Sequence, residues 1–134
     1  METQLNNIIS VGCPFCTVDI FRTVATNDHA LAIYDSFPIS PGHTLIIPRR
    51  HITSIFDAAK EVRDGMFDLL ESVRHLLIQE HKPDGFNIGI NDGMAAGQTV
   101  MHLHIHLIPR YKGDMHDPRG GVRWIFPDKA AYWK

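Results

Sequence analysis

The sequence predicts an α+β fold: a five-stranded, mainly antiparallel sheet with one long helix packed on one face. Three observations lead there. The chain has 134 residues, enough for one ordinary domain and too few for two well-packed ones. Only one long stretch carries a three- and four-residue apolar period, and the other apolar runs are short and bounded by turn residues. The helical stretch falls between the third and fourth of those runs, which suits a meander closed by a helix.

Phe21–Thr26 reads as the first strand, Asn27-Asp28 as its turn and Ala30–Tyr34 as the returning strand. Pro38, Ser40, Pro41 and Gly42 break the pattern before the apolar strand Thr44–Ile47, which Pro48 closes. Over 57–81, Val62, Met66, Leu69, Leu70, Val73, Leu76 and Leu77 form the buried stripe of a helix, with Asp57 as N-cap and Lys82-Pro83-Asp84-Gly85 as its stop. Phe86–Asn91 is the fourth strand. A glycine-rich turn, Asp92–Gly97, leads to the last strand, Val100–Ile108. Residues 1–10 read as a loose lead-in and 11–134 as the domain. The aromatic tail, Trp124 to Trp133, packs against the domain or a partner subunit, and Trp124 and Trp133 are read as packing or dimer contacts.

Composition narrows the functional classes. Charged residues are 21% and hydrophobic residues 44%, as in a soluble globular chain, and no run suffices to span a bilayer. A net charge of −2 argues against an extended nucleic-acid binder. The N-terminal sequence lacks a basic region followed by an apolar stretch, which points to a cytoplasmic protein. Nine histidines and two cysteines stand out. Cys13 and Cys16 are too close to staple a fold, so metal or redox chemistry outranks a structural disulfide.

The chemistry concentrates in His102-Leu103-His104-Ile105-His106. With a strand period of two, the three imidazoles share one face while Leu103, Ile105 and Leu107 face the helix. Three aligned rings supply a nucleophile, a proton donor and an orienting partner near neutral pH. A three-histidine metal site is the rival reading, weakened by the lack of a carboxylate in the strand. Just upstream, Gly93–Thr99 has the backbone freedom of a phosphate cradle, with Gln98 and Thr99 as further donors.

These residues resemble a known family. The run Gly97-Gln98-Thr99-Val100-Met101-His102-Leu103-His104-Ile105-His106-Leu107-Ile108-Pro109-Arg110 is similar to the signature of the histidine-triad (HIT) superfamily. The likeness extends to Asp35, Pro41-Gly42-His43 and Pro48-Arg49-Arg50-His51. Histidine at the third triad position resembles the hydrolase branches. The resemblance implies a nucleotidyl hydrolase cleaving at the α-phosphate of nucleoside 5′-phosphate derivatives, with dinucleoside polyphosphates such as diadenosine tetraphosphate first. Adenosine phosphoramidates, or a nucleotide-binding module with weak turnover, are the alternatives. It implies His104 as covalent nucleophile, His106 at the phosphate and leaving group, His102 in support and His43 as a further active-site histidine. Asp35 is implied at the ribose hydroxyls, and Asn91, Gln98 and Thr99 near the phosphate. Cys-x-x-Cys alone is half a zinc site, with buried thiols or a redox pair as alternatives. The resemblance implies that His51 and His102 complete a structural zinc site with Cys13 and Cys16. It also implies a homodimer, for which the strand edges, apolar helix and aromatic tail supply surface. His29, His75, His81 and His116 read as surface or edge residues.

Overall fold

The computed structural model describes residues 10–134, so most of the 1–10 lead-in lies outside the described residues. Five strands, β1 (Thr23–Thr26), β2 (Ala30–Tyr34), β3 (Thr44–Pro48), β4 (Gly85–Gly89) and β5 (Ile105–Arg110), form one sheet in the order β1-β2-β3-β5-β4. Every neighbouring pair is antiparallel. The long helix α1 (Lys60–His81) covers one face, and a short helix α2 (Pro127–Ala130) lies near the C-terminus. The expected α+β class and architecture are those observed. No helix among the described residues is long and apolar enough to cross a membrane.

Helix α1 forms where the apolar period says it should. Val62, Met66, Leu69, Leu70, Val73 and Leu77 are buried against Ala30, Ala32, Ile46, Leu103, Ile105 and Leu107. Leu76, read as part of that stripe, is instead exposed. Lys82 adopts a left-handed conformation, donates its N–H to Ile78 O at 3.1 Å, and Pro83 prevents continuation. The helix begins three residues later than the sequence suggests. Ser54 Oγ accepts from Phe56 N, so Asp57 ends a 3₁₀ turn over Ile55–Asp57, and Ala59 becomes an N-cap without a side-chain bond. Ile55 packs on the core, which holds that turn in place. Gly65 is required by close approach: a Cβ there would lie 2.8 Å from His29 Cβ. Asn27 Nδ2 reinforces the same contact by donating to Gly65 O at 2.8 Å.

Three strand boundaries differ from expectation. Ile20–Arg22 form a 3₁₀ turn because Asp19 caps it, accepting from Phe21 N at 2.9 Å, so β1 starts only at Thr23. β4 stops at Gly89, leaving Asn91 on the loop beyond. β5 starts at Ile105 rather than Val100, because its pairing with β3 ends at Ile46↔Ile105. Beyond that point Leu103 N donates to Ile52 O and His102 Nε2 bonds Pro48 O at 2.8 Å, which draws the chain out of the ladder. Pro109 is tolerated because it lies past the last β3 pair, Thr44↔Leu107, where only β4 flanks it.

The sheet face away from α1 carries a smaller core. Phe15, Ile33, Leu45 and Ile47 pack there with Cys13, Val18 and Val100. This core covers part of the face and leaves the ends of β2, β3 and β5 open to a cavity. The tail folds back on itself, through a 3₁₀ turn over Gly121–Ile125 and then α2, with Arg123 donating to Lys129 O and Ala130 O.

Candidate active site and metal cluster

Although only His106 of the three aligned histidines lies in regular strand, the alternation survives. Leu103, Ile105 and Leu107 are buried under α1, and the histidines project to the opposite side. The structure then divides them. His104 and His106 line a cavity of about 670 Å³ together with Asp35 and His43, whereas His102 turns to a cluster with Cys13, Cys16 and His51. The three-histidine metal site is therefore not formed: the described clusters of potential ligands never join the three rings.

Hydrogen bonds fix the ring chemistry. His104 Nδ1 lies 2.9 Å from the carbonyl oxygen of His102, so Nδ1 carries the proton and Nε2 keeps its lone pair. Phe15 packs edge-on against the ring at a centroid distance of 5.2 Å. His43 is buried; its Nδ1 accepts from Ile39 N at 3.2 Å, which places the proton on Nε2. That Nε2–H points to His106 Nδ1 at 3.0 Å, with Asp35 Oδ2 at 3.4 Å. His106 thus accepts at Nδ1 and carries its own proton on Nε2. Burial, aided by the neighbouring His104 and His43 rings, pushes His106 down to about 4 against the pull of Asp35. Burial also lowers His43, opposed by Asp35. Both rings are neutral at pH 7.

Asp35 is anchored as its Oδ1 accepts from Phe37 N at 2.8 Å, which leaves acceptor capacity on both carboxylate oxygens. Asn91 and Thr99 line the cavity. Gln98 does not. It is buried, accepts from Gly93 N, and spends its amide hydrogens on Thr53 O and Val100 O, so it braces the Gly93–Thr99 loop. Arg22, Phe37 and Asn87 also line the cavity and were not singled out from sequence. Arg22 stands in the turn before β1, Phe37 in the loop after β2 and Asn87 on β4, and only the folded sheet brings them to one cavity, which no local pattern announces.

The cluster beside the cavity has the dimensions of a tetrahedral metal site. Cys13 Sγ and Cys16 Sγ lie 3.5 and 3.6 Å from His102 Nδ1, and Cys16 Sγ lies 3.3 Å from His51 Nδ1. With metal bonds of about 2.3 Å to sulfur and 2.0–2.1 Å to nitrogen, the S···N edge of a zinc tetrahedron is about 3.5 Å. Pro48 O accepts from His102 Nε2–H, so Nδ1 offers a lone pair to the cluster, and Ser10 N donates to Cys16 Sγ at 3.2 Å. Burial raises the Cys16 thiol, a direction that a bound cation reverses. Asp35, His43 and His106 are also close enough to share a metal. Their contacts already form a complete chain of donors and acceptors.

A family model for the HIT domain matches residues 21–113. The chain belongs to the HIT family. Among HIT relatives, "Protein hit" from Bacillus subtilis is 37% identical over 108 residues, covering 77% of this chain and 74% of that protein. The asymmetrical bis(5′-nucleosyl)-tetraphosphatase of Schizosaccharomyces pombe is 39% identical over 80 residues, 60% of this chain and 44% of that protein. The crystal structure of a zinc-bound histidine triad protein from Mycobacterium smegmatis matches with a TM-score of 0.70 and 34% identity, covering 79% of this chain and 80% of that one. The HIT family thus includes a nucleotide hydrolase and a zinc-bound member.

Proposed function

We propose that this protein is a nucleotidyl hydrolase that cleaves dinucleoside polyphosphates at the α-phosphate through a nucleotidyl-histidine on His104. The observation that carries the reading is the bond from His104 Nδ1–H to His102 O, which presents an unprotonated Nε2 at the cavity wall. Nε2 attacks the α-phosphorus; the P–N bond forms as the P–O bond to the leaving group breaks. The adduct is an imidazolium whose charge rests partly on the His102 carbonyl, so it departs readily as neutral imidazole when water attacks phosphorus and releases a proton to solvent. His106 contributes a hydrogen bond from neutral Nε2–H to the developing oxyanion. A polyphosphate leaves as an anion and needs no proton, whereas an amine does, which places phosphoramidates second.

Asp35 accepts the ribose hydroxyls, and Asn91 and Thr99 donate toward phosphate. Cys13, Cys16, His51 and His102 would hold a structural zinc, a reading supported by the S···N edges and by the zinc-bound relative. A zinc there would tie the Cys13–Cys16 segment to the triad and fix His102, whose carbonyl orients His104. The protein acts as a homodimer, for which the β4 edge with exposed Ile88 and the exposed Val122, Ile125 and Tyr132 provide apolar surface.

The test is to quench turnover of a dinucleoside polyphosphate and map adducts by mass spectrometry. An acid-labile nucleotidyl group on His104 is expected. Near-normal turnover by His104→Ala refutes the assignment.

A further inference from the structure

We propose that Arg22 reads the base of the cleaved nucleotide and selects guanine over adenine. The inference rests on the nucleotidyl-hydrolase reading, because it takes the α-phosphate at His104 and the ribose at Asp35 as its fixed points. The strand order then gives the axis of the site. His104 precedes β5, His43 precedes β3, Asp35 follows β2 and Arg22 precedes β1, and all four line one cavity. Neighbouring strands are about 4.8 Å apart, so Arg22 stands about three spacings, or 14 Å, across the sheet from the strand of the nucleophile. A nucleotide whose phosphorus meets His104 and whose ribose meets Asp35 therefore carries its base toward β1. Phe37 and Ile39, both exposed and lining the cavity, offer the base apolar contact on the way.

The guanidinium is held in a defined pose. Nε and Nη2 donate to the carbonyl oxygen of Tyr34 at 3.3 and 3.0 Å, the residue immediately before Asp35. Among the described residues these are the only side-chain hydrogen bonds of Arg22. One side of the guanidinium is thus spent on the backbone, while the end-on pair, Nη1–H with the second Nη2–H, remains free. Two parallel donors match the O6 and N7 acceptors of guanine. Adenine offers N7 beside the N6 amino donor, which opposes one of them. The 3₁₀ turn over Ile20–Arg22 is what brings this side chain to the cavity rim instead of leaving it along an extended strand.

The experiment compares the guanosine, inosine and adenosine 5′-(p-nitrophenyl) phosphates, which share one leaving group. Wild-type protein should favour guanosine and inosine, which both keep O6 and N7, by about 5- to 150-fold in kcat/KM, the range of a good bidentate base contact. The 7-deazaguanosine ester should lose most of that advantage. Arg22→Met, and Arg22→Lys, which keeps a charge but not the fork, should bring the ratio close to unity by losing rate on guanosine alone. Equal use of adenosine and guanosine by wild type overturns the proposal, as does a variant in which both esters fall together. Calorimetry with GMP and AMP reads the same pocket without turnover. AMP binding as tightly as GMP overturns the base assignment alone, while failure of both to bind overturns the nucleotide site and this inference with it.

Discussion

Replacing His102 should cost stability, and the size of the loss follows from what the ring holds. It is completely buried, bonds Pro48 O through Nε2, and presents Nδ1 to both cysteines. In metal-free protein, His102→Ala leaves the Pro48 carbonyl unpaired in the interior, which costs about 1–3 kcal/mol. In metal-loaded protein a second loss adds to it. A cation that binds only the folded chain stabilises by RT ln(1 + [L]/Kd), about 4 kcal/mol at a thousandfold excess over Kd. Removing one of four ligands forfeits most of that. For a chain of this size 1 kcal/mol moves Tm by about 4 °C, so a combined loss of about 4–7 kcal/mol should melt His102→Ala about 16–28 °C below loaded wild type. The assay is thermal unfolding of both proteins, each with and without a strong chelator. Wild type should fall sharply on chelation while His102→Ala scarcely responds. A wild type indifferent to chelator, with a variant melting within about 2 °C of it, refutes both the ligand assignment and the buried-bond argument.

Other outcomes follow from single contacts. His104→Ala should abolish turnover while retaining nucleotide affinity, since Asp35, Asn91 and Thr99 are untouched; calorimetry beside single-turnover kinetics checks this. The His106 ring, depressed to about 4, is neutral in the folded chain and protonated in the unfolded chain between about pH 4 and 6.5. The unfolded state binds more protons in that window, so His106 contributes stability that is complete above about 6.5 and lost as pH falls through about 4. Denaturant titrations across that range should show the loss, and His106→Gln should flatten it. Gly65→Ala should fail to stabilise α1 despite the roughly 1 kcal/mol that alanine gains over glycine in a helix, and Gly65→Val should cost more, because any Cβ there meets His29. Light scattering across a concentration series should return the mass of a dimer.

What the sequence disclosed was local, and what it hid was set by distant packing. The triad is readable because alternation persists even where the segment before Ile105 leaves the ladder; the side-chain period needs extended backbone, not strand pairing. Cys13 and Cys16 announce themselves by spacing, and the HIT signature ties His51 and His102 to them. Asp57 misleads because Ser54, three residues earlier, caps a turn that Ile55 anchors in the core. Leu76 keeps the helical period yet falls outside the arc that the sheet covers. Gln98 has the chemistry of a phosphate donor, and only the positions of Thr53 O and Val100 O reveal that its hydrogens are committed elsewhere. Arg22 and Asn87 carry no motif at all, because the order β1-β2-β3-β5-β4 alone brings them to one cavity.

The clasp between the first hairpin and α1 bears on how this protein avoids self-association through its sheet border. β1 is an outer strand, and an outer strand that peels away offers unpaired amides to another chain. Here the hairpin tip is fastened on two sides: Asn27 Nδ2 to Gly65 O in the helix, and Arg49 Nε to Asn27 O just after β3. Fraying of the border must break both, together with the seat of His29 over Gly65. Opening of β1 is thereby coupled to release of the helix, a rarer fluctuation than loss of a free hairpin. Amide exchange at Ala25 and Leu31 should therefore slow toward that of the helix interior, and loosening the clasp by Asn27→Ala should speed exchange and hasten aggregation under mild heating before it measurably changes the nucleotide site.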